Sequence, residues 1–360
     1  MTSSTSSRNL RLALKTAAAT CALVASSFGA QATEELNALV WCDHTDPELI
    51  QPFEEKFDVR VNLKEYEGTG AALAIVEQSQ PGDWDVFVID GVDVPRAIDA
   101  DLLAALPKDQ LPLDDLFPAL VMPDNHTKDG EIYAISEKFG YNTISFNKSK
   151  VDAEDMKDMT VLWSDKYKGK IAVYDYYLPV MGMIAAGLGK TTADLSADDL
   201  PEIKETLFKI KDNAKLVGEV VSSQTAIATG EVDILVGGGE WVTAGLAADN
   251  PDLDWILPEQ GAMRWSQSIG VFKDSEKKGL ATEFVKYILS PDAQAKLATS
   301  SCYWAMPANS KAGEKMTDQQ KTALRWDDQE AYIANSQLYP APSAELDAQM
   351  QDAWTEFLQH

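Results

Sequence analysis

Segments with the pattern of strands alternate with segments of helical periodicity along most of this chain. Short apolar runs at 36–41, 59–63 and 85–89 predict strands, and amphipathic segments at 47–57 and 70–80 predict the helices between them. Strands separated by helices in this way form parallel, doubly wound sheets. The sequence therefore predicts an α/β fold, in which ligands bind beyond the carboxyl ends of the strands.

Four later apolar runs predict further strands, and two helices follow the last of them. The strands are expected at 143–146, 170–174, 232–236 and 268–272. The first helix, 280–289, ends at Ser290-Pro291, where the serine can cap and the proline can open a second helix. The sequence has no fixed-period repeat and no low-complexity linker, so two lobes joined by more than one crossover fit it better than two separate domains.

The charge of the chain limits its partners. The 360 residues carry a formal net charge of −26. Nucleic acids and anionic membrane surfaces bind basic surfaces, so we expect neither as a partner. The length and the hydrophobic fraction of 45% are sufficient for two packed lobes.

The first 32 residues have the pattern of a cleavable signal peptide. Three basic residues precede an apolar run at 16–29, and Ala30-Gln31-Ala32 supplies the small-x-small cleavage pattern. The mature chain is therefore expected to be secreted. It retains Cys42 and Cys302, which could form a disulfide in an oxidising compartment or remain two buried thiols; both alternatives are open.

Motifs for catalysis and for metal binding are weak. Gly-Leu-Gly-Lys-Thr at 187–191 lacks the first glycine of a phosphate loop, where Ile184 stands, so a helix end with a turn is expected instead. The histidines His44, His126 and His360 have no metal-ligand spacing. We therefore expect no catalytic residue, no metal ion and no cofactor.

Aromatic and polar side chains gather near the ends of the predicted strands. They are Trp41, His44 and Thr45, then Asp90, Tyr176 and Tyr177, then Glu240 and Trp241, Trp265, and Tyr303 and Trp304. Each aromatic residue taken alone also fits a place in the core. Several of them converging on one face would form an aromatic box, which attracts an ammonium group by about 0.5–2 kcal/mol per ring.

The order of four short motifs resembles one known family. They are Gly-Asp-Trp-Asp-Val at 82–86, the segment from Leu162-Trp163 to Lys-Tyr-Lys-Gly-Lys-Ile at 166–171, Gly-Glu-Val-Asp at 230–233, and the segment 284–292 that ends in Ser-Pro-Asp. In this order, after a secretory signal, they resemble the periplasmic solute-binding proteins of ABC importers, in the spermidine/putrescine-type branch.

The resemblance implies a fold, a location and partners. The fold is the two-lobed periplasmic-binding-protein fold of type II, each lobe a doubly wound mixed sheet, with the ligand in the hinge cleft. Lobe I would comprise 33–140 plus about 268–310, lobe II 141–267, and the C-terminal helices at 311–360 would pack across both lobes. The protein is expected in the periplasm as a monomer that binds a small molecule and delivers it to the ABC permease subunits in the inner membrane.

The expected ligand follows from departures from that branch. Its polyamine binders carry carboxylates at positions that correspond here to Tyr176, Pro179 and Gln267. Arg264 makes a polycation less suitable still and could bind a carboxylate in bidentate fashion. A small amine-containing or zwitterionic solute, such as an ω-amino acid, is therefore predicted, with a polyamine as the alternative.

The predicted site combines these residues, and one acid of Asp46, Asp90 and Glu240 is expected to pair with the ammonium group. The ligand-binding residues are predicted to be His44, Thr45, Asp90, Tyr176, Tyr177, Glu240, Trp241, Arg264, Trp265, Gln267, Tyr303 and Trp304. An alternative from another class is a secreted enzyme on the same fold. That enzyme would have to use His44 with Asp90 or Asp46 as its catalytic pair.

Overall fold

The computed structural model describes residues 34–360, so the predicted signal peptide lies outside the described residues. Within this part of the chain, no helix is both long enough and apolar enough to span a membrane. The strands are β1 (Glu34–Val40), β2 (Val59–Glu65), β3 (Val86–Asp90), β4 (Thr127–Lys128), β5 (Glu131–Ile132), β6 (Ala134–Asn147), β7 (Ile171–Tyr174), β8 (Ala214–Gly218), β9 (Ile234–Gly238), β10 (Leu253–Ile256), β11 (Ala262–Val271), β12 (Met306–Pro307) and β13 (Ser336–Leu338).

Helices connect and cover these strands. They are α1 (Pro47–Phe57), α2 (Thr69–Gln78), α3 (Val94–Asp99), α4 (Pro123–His126), α5 (Tyr177–Gly187), α6 (Leu200–Asn213), α7 (Val220–Ala228), α8 (Glu240–Thr243), α9 (Lys278–Ile288), α10 (Pro291–Ala298), α11 (Asp318–Ala323), α12 (Gln329–Ala334) and α13 (Ala344–Gln359). A 3-10 helix, Cys42–Thr45, follows β1.

Local sequence explains where several helices begin and end. The Asp46 side chain accepts a hydrogen bond from the Glu48 amide at the start of α1, and the Ser290 hydroxyl accepts one from Ala293 at the start of α10, as capping residues do. The helix end predicted near residue 187 is confirmed, because α5 ends at Gly187 and Gly189 then takes a φ of +77°.

The main sheet has the strand order β2-β1-β3-β11-β6-β9-β7-β8. β1 is parallel to β2 and β3, and β7 is parallel to β8 and β9. β6 and β11 run antiparallel to each other between these two groups. The predicted α/β class with parallel strands is therefore confirmed, and two antiparallel strands join its halves.

β6 is long enough to serve both groups of strands. Its residues 134–142 pair with β11, and its residues 143–146 pair with β9. The register of the β6–β11 pair shifts between Gln267 and Ser268. The predicted lobe boundaries at 140/141 and 267/268 lie in these two strands and stay a prediction.

Buried apolar side chains form separate clusters around the two parallel groups. Phe53, Val88 and Phe284 belong to clusters beside β1–β3, while Val173 and Leu207 belong to a cluster beside β7 and β9. The C-terminal segment contributes to both, through Leu324 in the first cluster and the buried face of α13 in the second. Each parallel group of strands therefore packs against its own apolar cluster.

Candidate ligand-binding site

A cavity lies where the carboxyl ends of β1, β3 and β7 meet β11. The space between its walls is about 460 Å³, including the part that opens to solvent. The wall consists of Trp41, Asp90, Asn142, Tyr174, Tyr176, Val220, Trp241, Trp265, Gln267, Tyr303 and Tyr339. Six of these eleven residues belong to the predicted site: Asp90, Tyr176, Trp241, Trp265, Gln267 and Tyr303.

The strand ends place these side chains together. Asp90 is the last residue of β3 and Tyr174 the last of β7. These strands belong to different parallel groups, which run in opposite directions on either side of β11 and β6, and both of them end at the cavity. Trp241 reaches the cavity from the start of α8, which Gly239 connects to β9. A Cβ atom at Gly239 would lie 2.1 Å from the Tyr141 carbonyl oxygen, so only glycine fits at this connection.

The aromatic rings of the wall touch one another. Tyr174 lies 5.0 Å from Trp241 and 6.1 Å from Tyr176 between ring centroids. Trp265 and Tyr303 meet edge to face at 6.2 Å. Their faces carry the partial negative charge that attracts cations.

Asp90 is the acid of this cavity. Its side chain belongs to a residue only 6% exposed, and no described lysine, arginine or histidine lies within ion-pair distance of it. Burial and the nearby charge of Asp93 raise the pKa of the Asp90 carboxyl to about 8. Burial, with a smaller contribution from Asp90, raises the pKa values of five tyrosines, which are Tyr66, Tyr174, Tyr176, Tyr303 and Tyr339. The aromatic box consists of the aromatic wall residues Trp41, Tyr174, Tyr176, Trp241, Trp265, Tyr303 and Tyr339. The Asp90 carboxyl lies within this box and has no positively charged partner among the described residues.

Arg264 lines a second cavity that adjoins the first. The two cavities share Asp90, Trp265 and Tyr339, and the second encloses about 940 Å³, including solvent-open space. Nη1 of Arg264 donates to the Ile333 carbonyl at 3.1 Å, and no described carboxylate forms an ion pair with the guanidinium. The Asp90 carboxyl and the Arg264 guanidinium therefore line adjoining cavities, and neither has an ion-pair partner among the described residues.

A wider groove leads outward from the aromatic box. It contains Tyr177, whose hydroxyl donates to Asp347 at 2.6 Å. Asp175 also lines it and accepts a hydrogen bond from the Trp354 indole at 2.9 Å. Tyr177 therefore lies in the approach to the aromatic box and does not form part of its wall.

A buried charge network lies directly behind the cavity wall. His44 Nδ1 is 3.0 Å from the Asp43 carboxylate and Nε2 is 3.1 Å from Glu137, and Lys138 Nζ is 2.8 Å from Asp43. All four side chains are inaccessible to solvent. Burial opposes a charge on His44, but Glu137 and Asp43 outweigh it and raise its pKa to about 10. Two positive and two negative groups thus balance each other.

This network holds two residues of the wall. The Gln267 amide nitrogen donates to Glu137 at 3.1 Å and to Asp43 at 3.2 Å, and its oxygen accepts the Tyr303 hydroxyl at 2.7 Å. Lys138 Nζ lies 3.9 Å from the Tyr303 ring centroid and donates to the Tyr303 carbonyl. Both polar ends of Gln267 are therefore used within the protein, and its role is to orient Tyr303.

Residues 48–324 match the sequence pattern of the bacterial extracellular solute-binding proteins. The chain belongs to this family. The solute-binding protein is 24% identical over 304 residues to the putrescine-binding periplasmic protein PotF of Escherichia coli (strain K12), an overlap of 78% of this chain and 81% of PotF.

Solved structures share the fold of this solute-binding protein. The spermidine/putrescine ABC transporter substrate-binding protein PotD from Streptococcus pneumoniae superposes with a TM-score of 0.76 at 19% identity, over 91% of this chain and 99% of PotD. The Atu4243–GABA receptor superposes with a TM-score of 0.71 at 20% identity, over 90% of this chain and 97% of the receptor. The predicted two-lobed fold is confirmed, and membership of the family confirms the predicted role in binding a solute.

Besides Tyr177 and Arg264, four predicted site residues of the solute-binding protein lie outside the wall. His44 is part of the buried charge network, and the Thr45 hydroxyl donates to the Cys42 carbonyl at 2.7 Å. Glu240 accepts the Tyr141 amide at 3.0 Å, and burial raises its pKa to about 8. Trp304 packs against Gly245. Each of these four side chains contacts other groups of the protein, and none of them lines the cavity.

The two retained cysteines of the solute-binding protein form a disulfide. Cys42 and Cys302 are 260 residues apart in sequence, with their Cα atoms 6.0 Å apart. Elsewhere, the described residues contain no group of histidine, cysteine and carboxylate side chains placed to hold a metal ion.

Several wall residues of the solute-binding protein do not belong to the predicted site. Asn142 lies within β6, where its amide donates to the Gly237 carbonyl at 2.8 Å and its oxygen accepts the Tyr339 hydroxyl. Tyr174 could have been found, because it ends a predicted strand two residues before Tyr176. Tyr339 follows the short strand β13, and no motif marks it.

Proposed function

We propose that this solute-binding protein captures a small solute through an ammonium group that pairs with Asp90 inside the aromatic box. The observation that carries the proposal is the buried Asp90 carboxyl, which has no positive partner among the described residues. A buried carboxylate without a counter-charge is unfavourable, and a bound ammonium group would supply that charge. The surrounding rings would add cation–π attraction.

Arg264 supports a zwitterionic ligand. Its guanidinium lines the cavity that adjoins the aromatic box, and guanidinium groups bind carboxylates in bidentate fashion. A solute with an amine at one end and a carboxylate at the other would satisfy both Asp90 and Arg264. An ω-amino acid is such a solute, and the fold relative named the Atu4243–GABA receptor is consistent with this class.

A polyamine is the second candidate, and the outer groove favours it. This groove carries the acidic residues Glu67, Asp93, Asp175, Glu219 and Asp347, which would attract a second ammonium group. The relative PotF is named for putrescine binding. Against a polyamine, Gln267 uses both ends of its amide within the protein, and Arg264 would repel a polycation at the neighbouring cavity.

Binding without catalysis accords with the state of the residues an enzyme would need. His44 is fully buried between Asp43 and Glu137, and Asp46 caps α1. Neither is available as a catalytic pair with Asp90 across the cavity. We infer that the protein binds its solute in the periplasm as a monomer and passes it unchanged to the permease subunits.

The test is calorimetric titration of refolded, ligand-free protein. The panel is γ-aminobutyrate, putrescine, spermidine, glycine betaine, and the single-pole controls butylamine and butyrate. We expect γ-aminobutyrate to bind most tightly of these. Tight binding of putrescine or spermidine would refute the zwitterionic ligand, and a failure of every amine to bind would refute the proposed function.

Two variants assign the poles of the ligand. Asp90→Asn should weaken γ-aminobutyrate at least 100-fold, because losing one partner of a buried ion pair costs about 3–5 kcal/mol. Arg264→Gln should abolish the preference for γ-aminobutyrate over butylamine. The matched control is Asp327→Asn, which removes the same charge at an exposed position and should bind like the wild type.

A further inference from the structure

Two residues of the cavity wall are chain neighbours of the bridged cysteines. Trp41 precedes Cys42, and Tyr303 follows Cys302. The bridge therefore ties together two walls that come from opposite ends of the sequence. This inference rests on the proposed ligand cavity.

Trp41 and Tyr303 differ in the other contacts that hold them in place. Trp41 directly follows β1, and its indole donates to the Tyr66 hydroxyl at 3.2 Å. Tyr303 lies in the irregular segment 299–305 between α10 and β12. Within the described residues the disulfide is the covalent tie between this segment and the end of β1.

The bridge also contacts a third wall. Cys42 and Cys302 pack against the apolar cluster that contains Trp241. The Gln224 amide donates to the Trp241 carbonyl at 3.0 Å and reaches the Cys302 carbonyl at 3.5 Å. A shift of the bridge would therefore disturb aromatic walls on both sides of the cavity.

We propose that the Cys42–Cys302 disulfide is a positioning element of the ligand site, which holds Trp41 and Tyr303 at the spacing that an ammonium ligand requires. A crosslink that only restricts the unfolded chain raises stability and leaves the affinity of the folded protein unchanged. A crosslink that positions the walls changes that affinity. The dissociation constant separates the two roles, whereas the melting temperature does not.

The experiment compares the double variant Cys42→Ala/Cys302→Ala with Val285→Ala, a core variant in α9, a helix that contributes no residue to the cavity wall. Both should melt at lower temperature than the wild type. For γ-aminobutyrate, we expect affinity to fall about tenfold in the double variant, since misplaced rings lose cation–π attraction, and to stay unchanged in Val285→Ala. An unchanged dissociation constant in the double variant would overturn the proposal.

A native-state measurement covers the case in which the double variant does not fold. Both cysteines are partly exposed, so dithiothreitol can reduce the bridge in the folded wild type. The reagent transfers two electrons and two protons to the bridge, giving two thiols and the cyclic disulfide of the reagent. Affinity should fall on reduction and return on reoxidation; an affinity unaffected by full reduction would overturn the proposal.

A ligand-free readout separates this inference from the proposed function. Trp41→Phe should change the near-ultraviolet circular dichroism strongly in bridged protein and much less in the unbridged protein, because the ring loses its fixed environment. Equal difference spectra would overturn the inference. A wild type that binds no amine of the panel would refute the proposed function, while the difference spectra would still decide the role of the bridge.

Discussion

Lowering the pH from 8 to 6 should weaken the binding of an ammonium ligand about 50-fold. The ligand requires an ionised Asp90, but burial and Asp93 raise the pKa of this carboxyl to about 8 in the ligand-free protein. Protons therefore compete with the ligand below pH 8. With this pKa the ionised fraction is about one half at pH 8 and about one hundredth at pH 6, a difference of about 2.3 kcal/mol in binding free energy. The amine itself stays protonated over this range.

The same competition predicts a measurable proton release. At pH 7 about nine-tenths of the carboxyl groups are protonated, so binding should release about 0.9 proton per ligand. Calorimetric titrations at pH 6, 7 and 8, each in two buffers of different ionisation enthalpy, measure both the affinity and the released protons. Asp90→Asn should bind weakly with a flat pH profile. An affinity that is constant between pH 6 and 8 in the wild type, with no proton released, would refute the reasoning.

Three further predictions concern the network and the connection between β9 and α8 that support the site. Lys138→Met should lower the free energy of unfolding by about 3–5 kcal/mol in urea denaturation, because it leaves Asp43 with one positive partner in a buried site. The contribution of His44 to the free energy of unfolding should be complete below pH 6.5 and fall as the pH rises through about 10, because folding raises the pKa of His44. A His44→Gln variant should lose this decrease in the free energy of unfolding at alkaline pH, and a variant that keeps it would contradict the prediction. Gly239→Ala should lower both the melting temperature and the ligand affinity, because its Cβ would meet the Tyr141 carbonyl oxygen at 2.1 Å; unchanged calorimetric binding would show that the connection between β9 and α8 adapts.

Much of the fold could be predicted because its signals are local. The helix predicted at 47–57 coincides with α1, since proline opens it and an apolar face continues through it. β6 and β11 were predicted only at one end each, at 143–146 and 268–272. Their remaining residues include buried polar side chains such as Ser136, which interrupt the apolar pattern of a buried strand.

The residues of the candidate site also divide into those with a local sequence signal and those without one. Asp90 and Trp241 could be predicted because they lie at the end of a strand or within three residues of one. His44 also lies near a strand end, but its charged partners Glu137 and Lys138 are about ninety residues away, so no local pattern indicated that it would be buried among them. Long-range pairing of this kind decides which strand-end residues face the cavity.

The balanced charges behind the wall restrict how the ligand preference of this protein could evolve. A single Gln267→Asp change would place a third carboxylate beside Asp43 and Glu137, with only Lys138 and His44 to neutralise them. Such a single variant would lose folding stability without yet gaining affinity for a new ligand. A change of preference to a diamine would therefore require simultaneous substitutions at position 267 and at a residue of the charge network. This requirement makes position 267 an epistatic barrier between ligand classes.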